Sequence, residues 1–186
     1  MFLICGLGNP GKDYINTRHN IGFNLIDKLS SFYNFLPFKK DRKKEVLKGE
    51  INQQECLFMK PLNFMNLSGQ QIQEIVIFYK NNKKKIYVIH DDLDLELGKV
   101  KLKFGGGNGG HNGLSNIDEM IGNNYNRIRI GINHPGSKDL VSSHVLNKFT
   151  NDEINTIEKK LDKVTNNFNI LLDDQVLFLT KLAEDN

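Results

Sequence analysis

Short apolar runs alternate with amphipathic stretches along this chain, as expected when strands and helices interleave in an α/β fold. Phe2–Gly6 predicts a first strand. Ile21, Leu25, Ile26, Leu29 and Phe32 recur at helical spacing and predict a helix from Ile21 to Tyr33. The charged stretch from Lys39 to Lys44 is expected to be exposed, and Glu45–Asn52 and Glu55–Lys60 predict two strands joined by a short turn at Gln53. Ser68 with Gln71 three residues on fits a capping box, opening a helix with Ile72, Ile75, Val76 and Tyr79 inward. Lys85–His90 contains Ile86-Tyr87-Val88-Ile89 unbroken, as a central strand buried on both faces would.

Further on the period is two. Val100, Leu102 and Phe104 alternate with Lys99, Lys101 and Lys103, and Ile128, Ile130 and Ile132 alternate with Arg127 and Arg129. Each reads as a strand with one apolar and one cationic face. A long amphipathic helix closes the chain, with Ile154, Ile157, Leu161, Val164 and Phe168 inward and Asp152 and Glu153 at its positive N-terminal end. With no repeat and no low-complexity linker, residues 1–186 are read as a single domain.

Composition narrows the class. A chain of 186 residues, 39% hydrophobic and 25% charged, can bury one core and is far from the disordered range. No apolar run approaches the ~18 residues of a membrane span. The N-terminus lacks the basic lead-in and cleavage site of a signal peptide. Cys5 and Cys56 are too few for a disulfide framework and are expected as reduced core thiols of a cytoplasmic protein. Residues 151–186 carry a net charge of −4, so the first 150 carry +7, which predicts a basic surface on the main body for an anionic partner.

Five segments bear candidate chemistry. Gly6-Leu7-Gly8-Asn9-Pro10-Gly11 matches G-x-G-x-x-G, but Pro10 and the polar stretch Lys12–Asn20 leave no helix to complete a dinucleotide site. It reads better as a tight turn that exposes Asn9 and leads into a loop with Tyr14, Thr17, Arg18, His19 and Asn20. His90-Asp91-Asp92-Leu93-Asp94 ends the central strand. It suits a metal less well than a carboxylate that orients a histidine by accepting its Nδ1–H, the alternative being a plain turn cap. In Lys60–Gly69, Asn66 sits before a helix and Phe64 offers a stacking face, unless Phe64 and Met65 are core plugs. Gly105–Gly113 has glycine at six of nine positions, a costly loop whose N–H groups would form an anion-friendly concavity before a helix starting near Gly113. A mobile surface loop is the plainer reading of it. Lys99, Lys101 and Lys103 precede it.

Taken in order, these segments resemble the bacterial-type peptidyl-tRNA hydrolases. The resemblance runs through Gly6–Gly11 with Tyr14 and Thr17–Asn20, Lys60-Pro61 with Phe64–Gly69, His90–Asp94, Gly105–Leu114, and Arg127–Gly131 with His134-Pro135-Gly136. It implies a mixed twisted sheet flanked by helices, no cofactor or metal, and a monomer. The implied reaction is hydrolysis of the ester between a peptide and the 3′-terminal ribose of tRNA, which recycles tRNA dropped by ribosomes. The resemblance makes His19 the general base, Asp91 its orienting carboxylate, and Asn9 a group distinguishing peptidyl from free aminoacyl esters. Tyr14, Phe64, Asn66 and Asn112 would contact substrate near the tRNA 3′ end, His111 would be an accessory residue, and Lys103 with Arg129 would clamp phosphate near the acceptor stem. Asn63 departs from the family's usual Thr, and the acidic tail offers little to tRNA. Three rivals stay open: a non-catalytic RNA-binding module, a dinucleotide-dependent oxidoreductase on the Gly6–Gly11 turn, and a metal hydrolase using His90, Asp91 and Asp94.

Overall fold

The apolar runs do become strands. β1 (Phe2–Gly6), β4 (Gln54–Pro61), β5 (Ile86–Asp92) and β7 (Asn126–Gly131) lie parallel at the centre of one sheet. Their largely buried sequences are what a sheet covered on both faces requires. Antiparallel strands extend it: β3 (Lys44–Ile51) and β2 (Leu36–Lys40) beside β4, and β6 (Val100–Phe104) beside β7, in the order β2-β3-β4-β1-β5-β7-β6. The computed structural model describes residues 1–184. Asp185 and Asn186, the end of the acidic segment and of the expected 1–186 domain, lie outside the described residues.

Alternation along the strands sorts side chains into two layers. Phe2, Ile4, Phe58, Tyr87 and Ile89 pack with α1 (Ile21–Phe32), α5 (Asn151–Leu171) and α6 (Gln175–Ala183). Leu3, Cys5, Leu57, Met59 and Val88 pack with α2 (Ser68–Phe78) and α3 (Asn112–Ile121) on the other face. Cys5 and Cys56 are both buried and unpaired. The first helix sits unusually close to the sheet. A Cβ on Gly6 would run into the Gly22 carbonyl, and one on Gly8 would lie 2.6 Å from the Phe23 ring. Those glycines serve helix–strand contact. No helix among the described residues is long and apolar enough to cross a membrane.

Several local expectations are corrected. Strand β2 was not anticipated, because all five of its residues are exposed and no buried face marks it. Within the stretch expected to be exposed, Lys44 is buried and pairs with Glu74. Ser68 does not cap α2: its hydroxyl donates to the Met65 carbonyl at 2.9 Å, and Leu67 holds the cap position without a side-chain bond. The capping box of this chain joins Thr150 and Glu153 at the start of α5. The closing helix is in fact two, since Asp174 accepts from the amides of Val176 and Leu177 and starts α6. Ile154 is exposed and not inward, and so is Phe104. A short helix, α4 (Val141–Leu146), buries no side chain and left no apolar period to detect.

Candidate active site

The chain leaves β1 for α1 on one face and leaves β4 for α2 on the other, so a crevice opens beyond the C-terminal ends of these adjacent strands. A cleft of about 800 Å³ lies there. Asn9, His19, Phe64, Asn66, Asp91 and His111 line one part of it, and Lys103, Arg129, His134 and Lys138 line another. α4 supplies an apolar wall through Val141, Val145 and Leu146.

His19 stands in one turn of 3₁₀ helix, Arg18–Asn20. Its neighbours fix that turn on both sides. The Asn20 side chain accepts from the Asn9 amide at 2.8 Å and donates to the Asn9 carbonyl at 2.9 Å. Asn9 in turn accepts through Oδ1 from the Met65 amide at 2.8 Å, so the first turn, the His19 turn and the Lys60–Gly69 loop are tied together. Asn9 is therefore buried, against the expectation of an exposed turn residue, while still lining the cleft. Arg18 does what no sequence pattern indicated. Its buried guanidinium donates to the carbonyls of His144, Asn147 and Lys148 and pairs with Glu153 at 2.6 Å, anchoring the end of α4 to the His19 turn. A basic residue adjacent to a candidate base was the only available signal.

His19 and Asp91, distant in sequence, meet directly. The Nδ1 of His19 lies 2.8 and 2.9 Å from the two carboxylate oxygens of Asp91, both residues being buried. A carboxylate there accepts, so Nδ1 carries the proton and Nε2 keeps the lone pair. Burial disfavours the imidazolium, but the charge and hydrogen bond of Asp91 outweigh it and hold the His19 pKa above its ordinary value. Burial likewise opposes ionisation of Asp91, yet His19 and His111 bring its pKa well below the usual carboxylate range. His111 places Nε2 at 3.0 Å from Asp91 Oδ1.

The rival constellations do not assemble. His90 donates Nδ1–H to the Asp91 carbonyl at 2.7 Å, and burial, then His111, push its pKa down to about 3. Asp94 is not grouped with it. Among the described residues the cluster close enough to hold an ion is His19, Asp91 and His111, whose facing atoms already bond one another. After Gly11 the chain enters short 3₁₀ turns, and α1 begins only at Ile21, so no helix N-terminus faces the Gly6–Gly11 turn as a dinucleotide would need.

The glycine loop also departs from expectation. Gly105, Gly106, Gly109 and Gly110 take positive φ, which explains their abundance. The first amides of α3, however, are not open to an anion: Gly113 and Leu114 donate to His111 Nδ1 at 3.1 and 3.3 Å. Arg127 is buried, donating to the Gly106 and Gly107 carbonyls and to Asp118. Arg127 and Arg129 of that strand both line the cleft, and Arg129 is bound to Asp92 at 2.6 Å. Lys103 is exposed at the same wall. Asn66 and Asn112 are exposed there too. Met65 is a core plug, but Phe64 is 55% exposed. Tyr14 does not line the cleft itself; it meets Phe64 edge-on, ring centroids 6.2 Å apart.

Known proteins share this fold. The family model described as peptidyl-tRNA hydrolase matches residues 3–184. The peptidyl-tRNA hydrolase of Rickettsia canadensis is 47% identical over 177 residues, covering 95% of this chain and 96% of that protein. That of Rickettsia africae is 46% identical over 185 residues, covering 98% and 100%. The crystal structure of peptidyl-tRNA hydrolase from Acinetobacter baumannii superposes with a TM-score of 0.91 at 38% identity, covering 98% of this chain and 94% of that one. The chain belongs to the peptidyl-tRNA hydrolase family.

Proposed function

We propose that this chain hydrolyses the ester joining a peptide to the 3′-terminal ribose of tRNA, with His19 as general base. The observation that carries the reading is the His19–Asp91 pair at 2.8 and 2.9 Å in the wall of a cleft fringed by cations. With Nδ1–H committed to Asp91, Nε2 takes a proton from water as that water attacks the ester carbonyl. Asp91 then stabilises the imidazolium that forms, and general-base catalysis of this kind contributes roughly 10²–10⁴-fold. The ester carbon becomes tetrahedral, its oxygen acquires negative charge, and the amide of Asn66 or Asn112, both exposed in the cleft wall, donates to it. As the intermediate collapses, the His19 imidazolium returns its proton to the departing ribose oxygen, which leaves as the hydroxyl and frees peptide and tRNA.

Asn9 supports a preference for peptidyl over aminoacyl esters. Its Oδ1 is occupied by the Met65 amide, which leaves the side-chain NH₂ as a donor for a peptide carbonyl. A free amino group offers no such acceptor. Phe64, braced by Tyr14, gives a flat face for the terminal adenine. Lys103 and Arg129 stand where phosphates of the acceptor end would pass, and His111 bonds the catalytic carboxylate.

Turnover of N-acetylated aminoacyl-tRNA is expected to exceed that of the unblocked ester, and His19→Ala is expected to abolish it while the fold is kept. Equal rates on both esters would overturn the specificity; an active His19→Ala enzyme would overturn the general base.

A further inference from the structure

We propose that His111 is a positioning residue whose tautomer is set by the start of α3, so that the helix aims a second proton donor at Asp91. This rests on the reading of His19 and Asp91 given above. His111 occupies the N-cap of α3, and the amides of Gly113 and Leu114 both donate to its Nδ1. A nitrogen that accepts from two backbone N–H groups cannot carry a proton itself. In the neutral ring the proton is therefore forced onto Nε2, and that atom lies 3.0 Å from Asp91 Oδ1. Backbone amides of a helix thus decide which way an imidazole across the cleft donates.

The consequence lies at the carboxylate. Asp91 Oδ1 accepts from His111 and from His19, and Oδ2 accepts from His19 alone. Two donors on fixed elements, one on the 3₁₀ turn and one on α3, hold the carboxylate plane and with it the ring of His19. The His111 bond also draws part of the carboxylate's charge away from His19, tempering how strongly Asp91 raises its basicity. The groups facing the pair are otherwise few: the His90 ring, 5.2 Å from that of His111, is held neutral by its burial and by the neighbouring His111, and Asp92 is bound to Arg129. The same lock bears on metals. An ion on His111 Nε2 would require a proton on Nδ1, opposite two N–H groups, so the His19–Asp91–His111 cluster is built to share protons.

The test separates the tautomer from the chemistry. Long-range ¹H–¹⁵N correlation of the imidazoles in the wild-type protein, across the neutral range, is expected to find His111 protonated at Nε2 and His19 at Nδ1. A His111 protonated at Nδ1 overturns the proposal whatever the activity. His111→Asn keeps an N-cap acceptor but is too short to reach Asp91. It is expected to keep its thermal midpoint, lose about tenfold in kcat with KM near wild type, and move the acid limb of kcat/KM upward by roughly half a unit or more, since Asp91 then acts on His19 undivided. His111→Ala removes the cap as well, and its thermal midpoint is expected to fall. A purely structural role predicts an unmoved acid limb in His111→Asn, and that result overturns the proposal too. Should His19→Ala stay active, the general-base reading fails, while the ¹⁵N tautomer of His111 still decides this one.

Discussion

Replacing Asp91 by Asn tests the central pair most sharply, because it changes charge at nearly constant shape. Asp91 is 3% exposed and receives three donated contacts, at 2.8 and 2.9 Å from His19 and at 3.0 Å from His111. An amide can present one oxygen to these donors, in the Oδ1 position where both converge, but it carries no charge. Hydrogen bonds to charged groups contribute about 1.5–3 kcal/mol, so His19 should lose roughly that much stabilisation of its imidazolium. At 1.36 kcal/mol per unit this is about 1–2 pKa units. The sign follows from what opposes it: in the wild type burial lowers the pKa and Asp91 more than compensates, so without Asp91 the pKa falls below its ordinary value. With His19 as the proposed general base, its imidazolium would develop in the transition state, so the same energy is expected as a plateau kcat lower by about 10–100-fold, with KM little changed. Initial rates on N-acetylated aminoacyl-tRNA across pH, with circular dichroism to verify folding, measure both effects. An acid limb that stays put or moves up, in a folded Asp91→Asn enzyme, would refute the electrostatic role of Asp91.

Other expectations concern the frame and the substrate face. Glu153→Gln keeps the capping-box partner of Thr150 but removes the charge facing buried Arg18, and should cost roughly 1–3 kcal/mol in urea unfolding at pH 7. Burial opposes ionisation of Glu153, yet its bonds to Thr150 and Arg18 lower its pKa in the folded state. Its contribution is thus present above the unfolded value near 4.5 and lost as pH falls through the folded one, so the wild-type advantage over Glu153→Gln should vanish in acid. Gly22→Ala would drive a Cβ into the Leu7 backbone and to 2.6 Å from the Ile89 carbonyl, and should cost at least about 1–3 kcal/mol by thermal melting; an unchanged midpoint would contradict the close packing of α1. Lys103→Ala should raise KM and reduce the salt slope of tRNA binding by about one, whereas Arg129→Ala should reduce it less, because Asp92 already neutralises that guanidinium. Equal slopes for the two variants would argue against that difference.

The primary structure alone determined the succession of central strands and flanking helices, because strands covered on both faces must be apolar and packed helices must carry a stripe. Local chemistry was legible where it is local: the first turn, the acidic end of the central strand, the glycine loop. Elements without a buried face escaped it. The exposed strand β2 and the six-residue α4 have no period to read, and α4 is held by the Arg18 guanidinium from far along the chain. Capping shows the same limit, since Ser68 and Thr150 both precede a suitable residue by three and only geometry chose Thr150. What only the tertiary structure decided is which polar groups face one another. Burying His19 beside Asp91, 72 residues away, turns an ordinary loop histidine into a polarised imidazole. Arg127 becomes a brace for the glycine loop while Arg129 pairs with Asp92, although both line the cleft and belong to one alternating pattern. Sequence spacing states which face of an element a side chain occupies; the partner it meets there, and so its charge and proton, depends on chain segments that folding alone brings near.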